Sequence, residues 1–197
     1  MTRVATRAPG RPAASTREAA LALATDRFIA GERVDMRAIA RELGLARATM
    51  HRWFGSRDLL LGELLATLAE ERLMAIRREV GGRGGPALLD TFDRFNREIA
   101  ASRGMNVLLA REHERALRIL TSSAEVVQPR VVAGIDRLIR TEVEAGHFVS
   151  PIPPDILAYV FVRMAEAFLY NESYAGIPGG ADRQRDVLAA LLSVRES

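Results

Sequence analysis

Apolar residues recur along this chain at three- and four-residue spacing between glycine and proline breaks, and the pattern predicts helices almost throughout. Ser15 and Glu18 stand at capping-box spacing, and Leu21, Ala24 and Phe28 then share one face as far as Gly31. A first helix is therefore expected to open at Ser15. Asp35 is placed to cap a second, short helix whose stripe is Met36, Ile39, Ala40 and Leu43, stopped by Gly44. Only Leu45 and Ala46 precede a third helix over about 46–53, with Met50 and Phe54 turned inward. Helix, glycine turn and helix in so short a span is the layout of a helix-turn-helix.

Beyond it, Ser56 is placed to cap a long fourth helix with Leu61, Leu64, Leu65 and Leu68 on its buried side. The run Gly81–Gly85 breaks it; no strand precedes this run and no Lys-Ser/Thr follows, so it reads as a connector and not a phosphate loop. Pro86 suits the first turn of a helix carrying Leu88, Phe92, Phe95 and Ile99. Gly104 to Leu120 reads as one or two helices, and a seventh spans about 128–145 with Val132, Ile135, Ile139 and Val143 inward. Pro151, Pro153 and Pro154 lead into an eighth at about 154–172, and Asp182 is expected to cap a ninth. No alternating strand appears, so the fold class is all-α with about nine helices.

The composition adds an asymmetry. All 28 basic residues are arginine. Residues 1–57 hold eleven of them against five acids, a net +6, whereas residues 58–197 carry a net −3. A basic head on a mildly acidic body is the footprint of a polyanion-binding protein. Residues 1–14 have no apolar period and read as a flexible basic arm bearing Arg3, Arg7 and Arg11. There is no cysteine, which excludes disulfides, thiolate metal sites and cysteine nucleophiles. The longest apolar run, Ile156–Val162, is far short of the roughly 18 residues that span a bilayer, so no membrane role is expected and the protein is read as cytoplasmic.

The stretch from Met36 to Leu60, with "IA" at Ile39-Ala40, "LG" at Leu43-Gly44, "TMHRWF" over Thr49–Phe54 and "RDLL" over Arg57–Leu60, resembles the DNA-binding domain of TetR-type transcriptional regulators. The likeness covers residues 15–61. His51 stands where the family has a tyrosine, Arg57 where it has a lysine, and Ala46 where a hydroxyl often caps the recognition helix. The segment from Pro129 to Tyr170 is also similar to the QsdR-type subgroup, which is associated with lactone-responsive control of quorum-quenching genes in actinobacteria. This resemblance implies a helix-turn-helix DNA-binding domain over 15–57 and a ligand-binding and dimerisation domain over 58–197. It implies a homodimeric repressor that binds a palindromic operator in double-stranded DNA. A small apolar or amphipathic effector, a lactone in that subgroup, would release it. No cofactor or metal is implied.

The third helix of such a domain enters the major groove by its N-terminal half. Arg47, Ala48 and Thr49 then lie nearest the base edges. Arg47 can clasp a guanine edge or hold a phosphate, and Ala48 or the Thr49 methyl can meet a thymine methyl. His51, Arg52, Trp53 and Arg57 are expected at phosphates, with Trp53 alternatively closing the core beside Phe54. For the effector, Phe92, Phe95, Met105, Tyr159 and Phe168 are candidate cavity walls, although plain core packing uses the same residues. Arg163, Glu166 and Asn171 are its polar candidates, with Arg163 and Glu166 also spaced to pair with each other. Glu112 and His113 are weaker ones. The eighth helix is apolar on nearly every face, which suits burial against the body on one side and a second copy on the other.

Two other classes compete. His113-Glu114 begins like a zinc-protease helix, but Leu117 replaces the second ligand, and no G-x-S-x-G or dinucleotide fingerprint is present. An enzyme is therefore not expected. A ligand-independent DNA-organising protein would not need 140 residues after its head. An activator on the same fold is indistinguishable from a repressor by sequence.

Overall fold

The first helix starts because a hydroxyl closes its open end, and the hydroxyl is Thr16. In the computed structural model, which describes residues 16–122, 125–175 and 180–194, its side chain accepts from the Ala19 N–H at 3.1 Å. The expected Ser15–Glu18 box is thus replaced by a cap one residue later; Ser15 lies outside the described residues. Glu18 falls in the first turn, and its carboxyl is held below the usual glutamate range by its own backbone N–H and by Thr16.

Among the described residues there are nine helices and no strand: α1 (Arg17–Ile29), α2 (Met36–Glu42), α3 (Arg47–Phe54), α4 (Arg57–Val80), α5 (Gly84–Ala101), α6 (Arg103–Thr121), α7 (Val127–Glu144), α8 (Pro154–Ala175) and α9 (Gly180–Leu191). The Asp35 carboxylate caps α2 through the Arg37 and Ala38 N–H groups, and the Ser56 hydroxyl caps α4 through Leu59. Among the described residues no helix is long and apolar enough to cross a membrane. Helix α9 starts two residues before Asp182, which sits in its first turn and receives Arg97 at 2.7 Å instead of serving as its cap. The two-helix alternative for 104–120 resolves as one element with a break: Glu112 leaves helical geometry at φ −140°, ψ 45°.

Two apolar clusters organise the chain. The first joins Ala20, Ala24 and Phe28 of α1, Ile39 of α2, and Met50 and Phe54 of α3 to Leu60, Leu61, Leu64 and Leu65 of α4. Met105, Leu108, Ala116 and Ile119 of α6 complete it. The second gathers Leu73 and Ile76 of α4 with α5, α7, α8 and α9. Helix α4 therefore runs through both, and α6 seats the head.

Two glycines allow the close approaches. Gly84 has φ +66°, with the His147 carbonyl where a side chain would point; its N–H reaches the buried Glu142 carboxylate at 2.7 Å. Arg77 donates to the other oxygen of Glu142, so one carboxylate ties the end of α4, the start of α5 and the end of α7. Burial pushes the Glu142 carboxyl upward, but the Gly84 N–H and Arg77 outweigh this and leave it below its usual range. Gly104, in the first turn of α6, lies so close to the Phe28 carbonyl that any Cβ there would overlap it.

Candidate nucleic-acid face and internal cavity

Helix α3 is anchored by Met50 and Phe54, which are 0% and 4% exposed, and this turns its remaining residues outward. Arg47, Ala48, His51 and Arg52 are exposed, and Thr49 is half-buried. Ala46 occupies the N-cap without a side-chain bond, so the first amides of α3 have no cap from it. The His51 ring meets the Gly55 carbonyl at 2.9 Å, and the Arg47 guanidinium reaches the ring's other nitrogen at 3.4 Å. Trp53 is half-buried against the head core, edge-on to Phe54 at 6.4 Å, so the core-closing alternative describes its ring.

Arg33, Arg37 and Arg41, which sequence reasoning did not single out, are exposed. Like Arg47 and Arg52, they have no carboxylate within salt-bridge distance among the described residues. Arg37 and Arg41 are one turn apart on α2. Their signal in the sequence was present: arginines off the Met36–Ile39–Ala40 stripe.

Arg57 departs from the expectation of a phosphate contact. Its guanidinium turns inward, donating to the Val34 carbonyl at 2.6 Å and to both oxygens of Glu112 at 2.6 and 2.8 Å. Each of its three guanidinium nitrogens donates to a protein acceptor, which turns the group inward and leaves two of its five N–H groups for any phosphate. The Arg57 guanidinium, with help from Arg115, holds the Glu112 carboxyl below the usual range. The start of α4, the loop before α2 and the break in α6 are joined at this one side chain. Arg3, Arg7 and Arg11 lie outside the described residues.

Above this junction lies a cavity of about 360 Å³, the lower part of the size range of small-molecule sites. Its walls are mostly apolar and come from α1 and α4–α9. Phe92, Phe95, Met105 and Glu166 line it, together with Phe28 and Ile29 of the head and Phe161, Val162 and Leu188 of the body. Tyr159, Arg163 and Phe168 do not line it. On α8 the inward row is Leu157, Phe161 and Ala165 with Ala158 and Val162; Tyr159 falls on the other side, 49% exposed. Glu112 and His113 are also absent from its walls. The side chain of Asn171 lies outside the described residues.

Arg163 and Glu166 pair at 2.7 Å, as their spacing allowed, and Glu166 also accepts from the Gln128 amide at 3.0 Å. Desolvation nevertheless pushes the Glu166 carboxyl above its usual range. Asn96 and Gln128, 7% and 4% exposed, are cavity-lining polar residues that sequence reasoning missed. Neither belongs to a motif. Ile156 and Tyr159 of α8, Val187 of α9 and Ile152 just before α8 are large apolar side chains at the surface.

Comparison with known proteins follows the same lines. Residues 83–193 match the family described as tetracyclin repressor-like, C-terminal domain. No curated protein matches. Among solved structures, the transcriptional repressor QsdR of R. erythropolis, from the TetR family, superposes with a TM-score of 0.83 at 27% identity, covering 92% of this chain and 96% of its own. GusR of Salmonella enterica shares the fold at a TM-score of 0.52 and 19% identity, over 90% and 95% of the two chains. A putative TetR-family regulator from Shewanella sp. PV-4 does so at 0.50 and 18%, over 89% and 95%. Regulators of this kind bind DNA and are not enzymes. With a family match over more than half of its length and a helix-turn-helix carried on the α4 and α6 seen here, the chain belongs to the TetR family of transcriptional regulators.

Proposed function

We propose that the protein is a homodimeric, effector-responsive transcriptional repressor working in the cytoplasm, with residues 15–57 as its DNA-binding domain and 58–197 as its ligand-binding and dimerisation domain. Arg47, Ala48 and Thr49 read base edges in the major groove, while His51, Arg52 and the Trp53 N–H hold phosphates. Arg33, Arg37 and Arg41 add positive potential along the backbone. The outer apolar faces of α8 and α9 meet their copies across a two-fold axis, which sets two recognition helices about 34–36 Å apart on a palindrome.

The observation that carries this reading is the shared wall of the cavity. Phe28 belongs to the head core and also faces the cavity, beside Ile29 of the same helix. A molecule filling that space bears on α1 itself. Because α1 touches α6 at Gly104, and α6 holds Arg57 through Glu112, displacement of one reaches the other two. The effector is small and apolar or amphipathic, and the resemblance to QsdR-type regulators makes a lactone the first class to try. An effector coupling of ~1–3 kcal/mol corresponds to a 5–150-fold loss of operator affinity.

The test is selection of bound sequences from random duplex DNA by the full-length protein, followed by lactone titration into the resulting complex. A palindrome with two occupied half-sites is expected. Sequence-blind, purely salt-dependent binding would overturn the reading.

A further inference from the structure

Asn96 is a buried polar residue of the cavity wall for which the described residues supply no hydrogen-bond partner. It is 7% exposed, it lines the cavity, and among the described residues nothing hydrogen-bonds its side-chain amide. Its neighbours on the same helix are Phe92 and Phe95. The residue is buried, but its amide atoms are not sealed off, so they stay open to a molecule that enters the cavity. A free donor and a free acceptor facing an apolar space are a binding head in waiting.

The charges around the cavity narrow what that head can be. Glu166 contributes a carboxylate to the wall, while the side chain of its partner Arg163 stays off it. Of the two arginines that do line the space, Arg72 is gripped by both oxygens of Glu98. Arg103 is exposed and lies against Gly31. The lining carboxylates are Glu98 and Glu166, so a ligand carboxylate would find only Arg103 without a carboxylate partner among the described residues, and that arginine is exposed to water. An uncharged head would instead find Asn96 as donor and acceptor, and Glu166 as a further acceptor.

We propose that the cavity takes an uncharged amphipathic molecule, its apolar body among the phenylalanines and its compact head, with an N–H or O–H donor and a carbonyl acceptor, held by Asn96 with Glu166 accepting from the donor. This rests on the reading of the cavity as the effector site. A simple lactone offers only acceptors and so engages half of this arrangement.

Thermal-shift titration of the full-length protein with decanamide, γ-decalactone and decanoate tests it. Decanamide is expected to raise Tm at the lowest concentration, the lactone next, and decanoate only at concentrations at least about tenfold higher. Asn96→Leu is expected to keep or raise the Tm of the unliganded protein, because it puts an apolar side chain on a mostly apolar wall in place of an amide with no partner among the described residues. It should also weaken decanamide about tenfold or more while leaving operator affinity without probe unchanged. Asn96→Ala, which cannot overpack, must show the same loss. Decanoate binding as tightly as decanamide, or decanamide binding undisturbed in both variants, would overturn the proposal. In that event, any probe that still releases operator leaves the effector reading standing. If none of the three stabilises the protein, both fall.

Discussion

The outer edge of α3 and the junction of α4 with α6 are both rich in arginine, but they deploy it in opposite ways. On α3, Arg47 and Arg52 are exposed with no carboxylate within salt-bridge distance among the described residues, and the same holds for Arg33, Arg37 and Arg41 around α2. Ten residues after Arg47, Arg57 is turned inward and held by a carboxylate from 55 residues away. Arg77 and Arg130 follow Arg57, tied to Glu142 and Glu70. Charges left unpaired at a surface are available to a polyanion, and charges paired inside fix helices against one another. The same side chain thus serves recognition or architecture according to whether the fold brings it an acceptor.

The comparison predicts that substitutions in the second group damage folding and substitutions in the first damage only DNA binding. The largest effect is expected for Glu142→Ala. It orphans the buried Gly84 N–H and leaves Arg77 without its partner, at a cost of about 3–5 kcal/mol in chemical denaturation. A change under 1 kcal/mol would mean that the three helix ends are held by packing alone. Glu112→Ala should cost about 1.5–3 kcal/mol by the same measurement, less because the pair is partly exposed, and should also blunt effector release. Arg47→Ala belongs to the other group. It should lose ~1–3 kcal/mol of discrimination between operator and a mismatched duplex, read by fluorescence anisotropy, with an unchanged melting curve.

Acid gives a subtler contrast. The carboxyls of Glu70, Glu112 and Glu142 lie below the usual range in the folded protein, so the unfolded chain takes up their protons first as pH falls. Their stabilisation is complete above the ordinary glutamate value of ~4.3 and is lost as pH drops through their folded values. Glu166 has the opposite sign: stability is lost as pH rises from that ordinary value through its raised one. Glu166→Gln should therefore raise Tm at neutral pH and leave it nearly unchanged well below pH ~4. The smallest effect is expected for Ala46→Ser. A hydroxyl at the empty N-cap of α3 should add about 1 kcal/mol. No gain in the melting curve would show that the first turn of α3 is satisfied some other way.

What could be read before folding and what could not divides along the same line. The head is specified by signals within a few residues of one another: Asp35 and Ser56 as caps, Gly44 as a stop, Met50 and Phe54 as inward anchors. Each of these stands in the structure where its spacing put it. The Ser15 cap moved by one residue because Thr16 offers the same chemistry. Arg57 was unreadable because its role is set by Glu112, and no local pattern links the two. On α8, an almost unbroken apolar run hides which row faces in, so Tyr159 and Phe168 were placed in a wall that Phe161 and Val162 form. Asn96 escaped notice for a related reason: an isolated amide in a helix looks like a surface residue until the fold closes over it.

Phe28 has one further consequence. A ring that belongs at once to the reading head and to the lining of an internal hollow cannot shift for one without changing the shape of the other. Thermodynamic reciprocity then applies in both directions: whatever factor an inducer takes from the grip on DNA, the operator must take from the grip on the inducer. Molecules already seated on their promoter would be the least sensitive sensors in the cell, and the unbound ones would respond first.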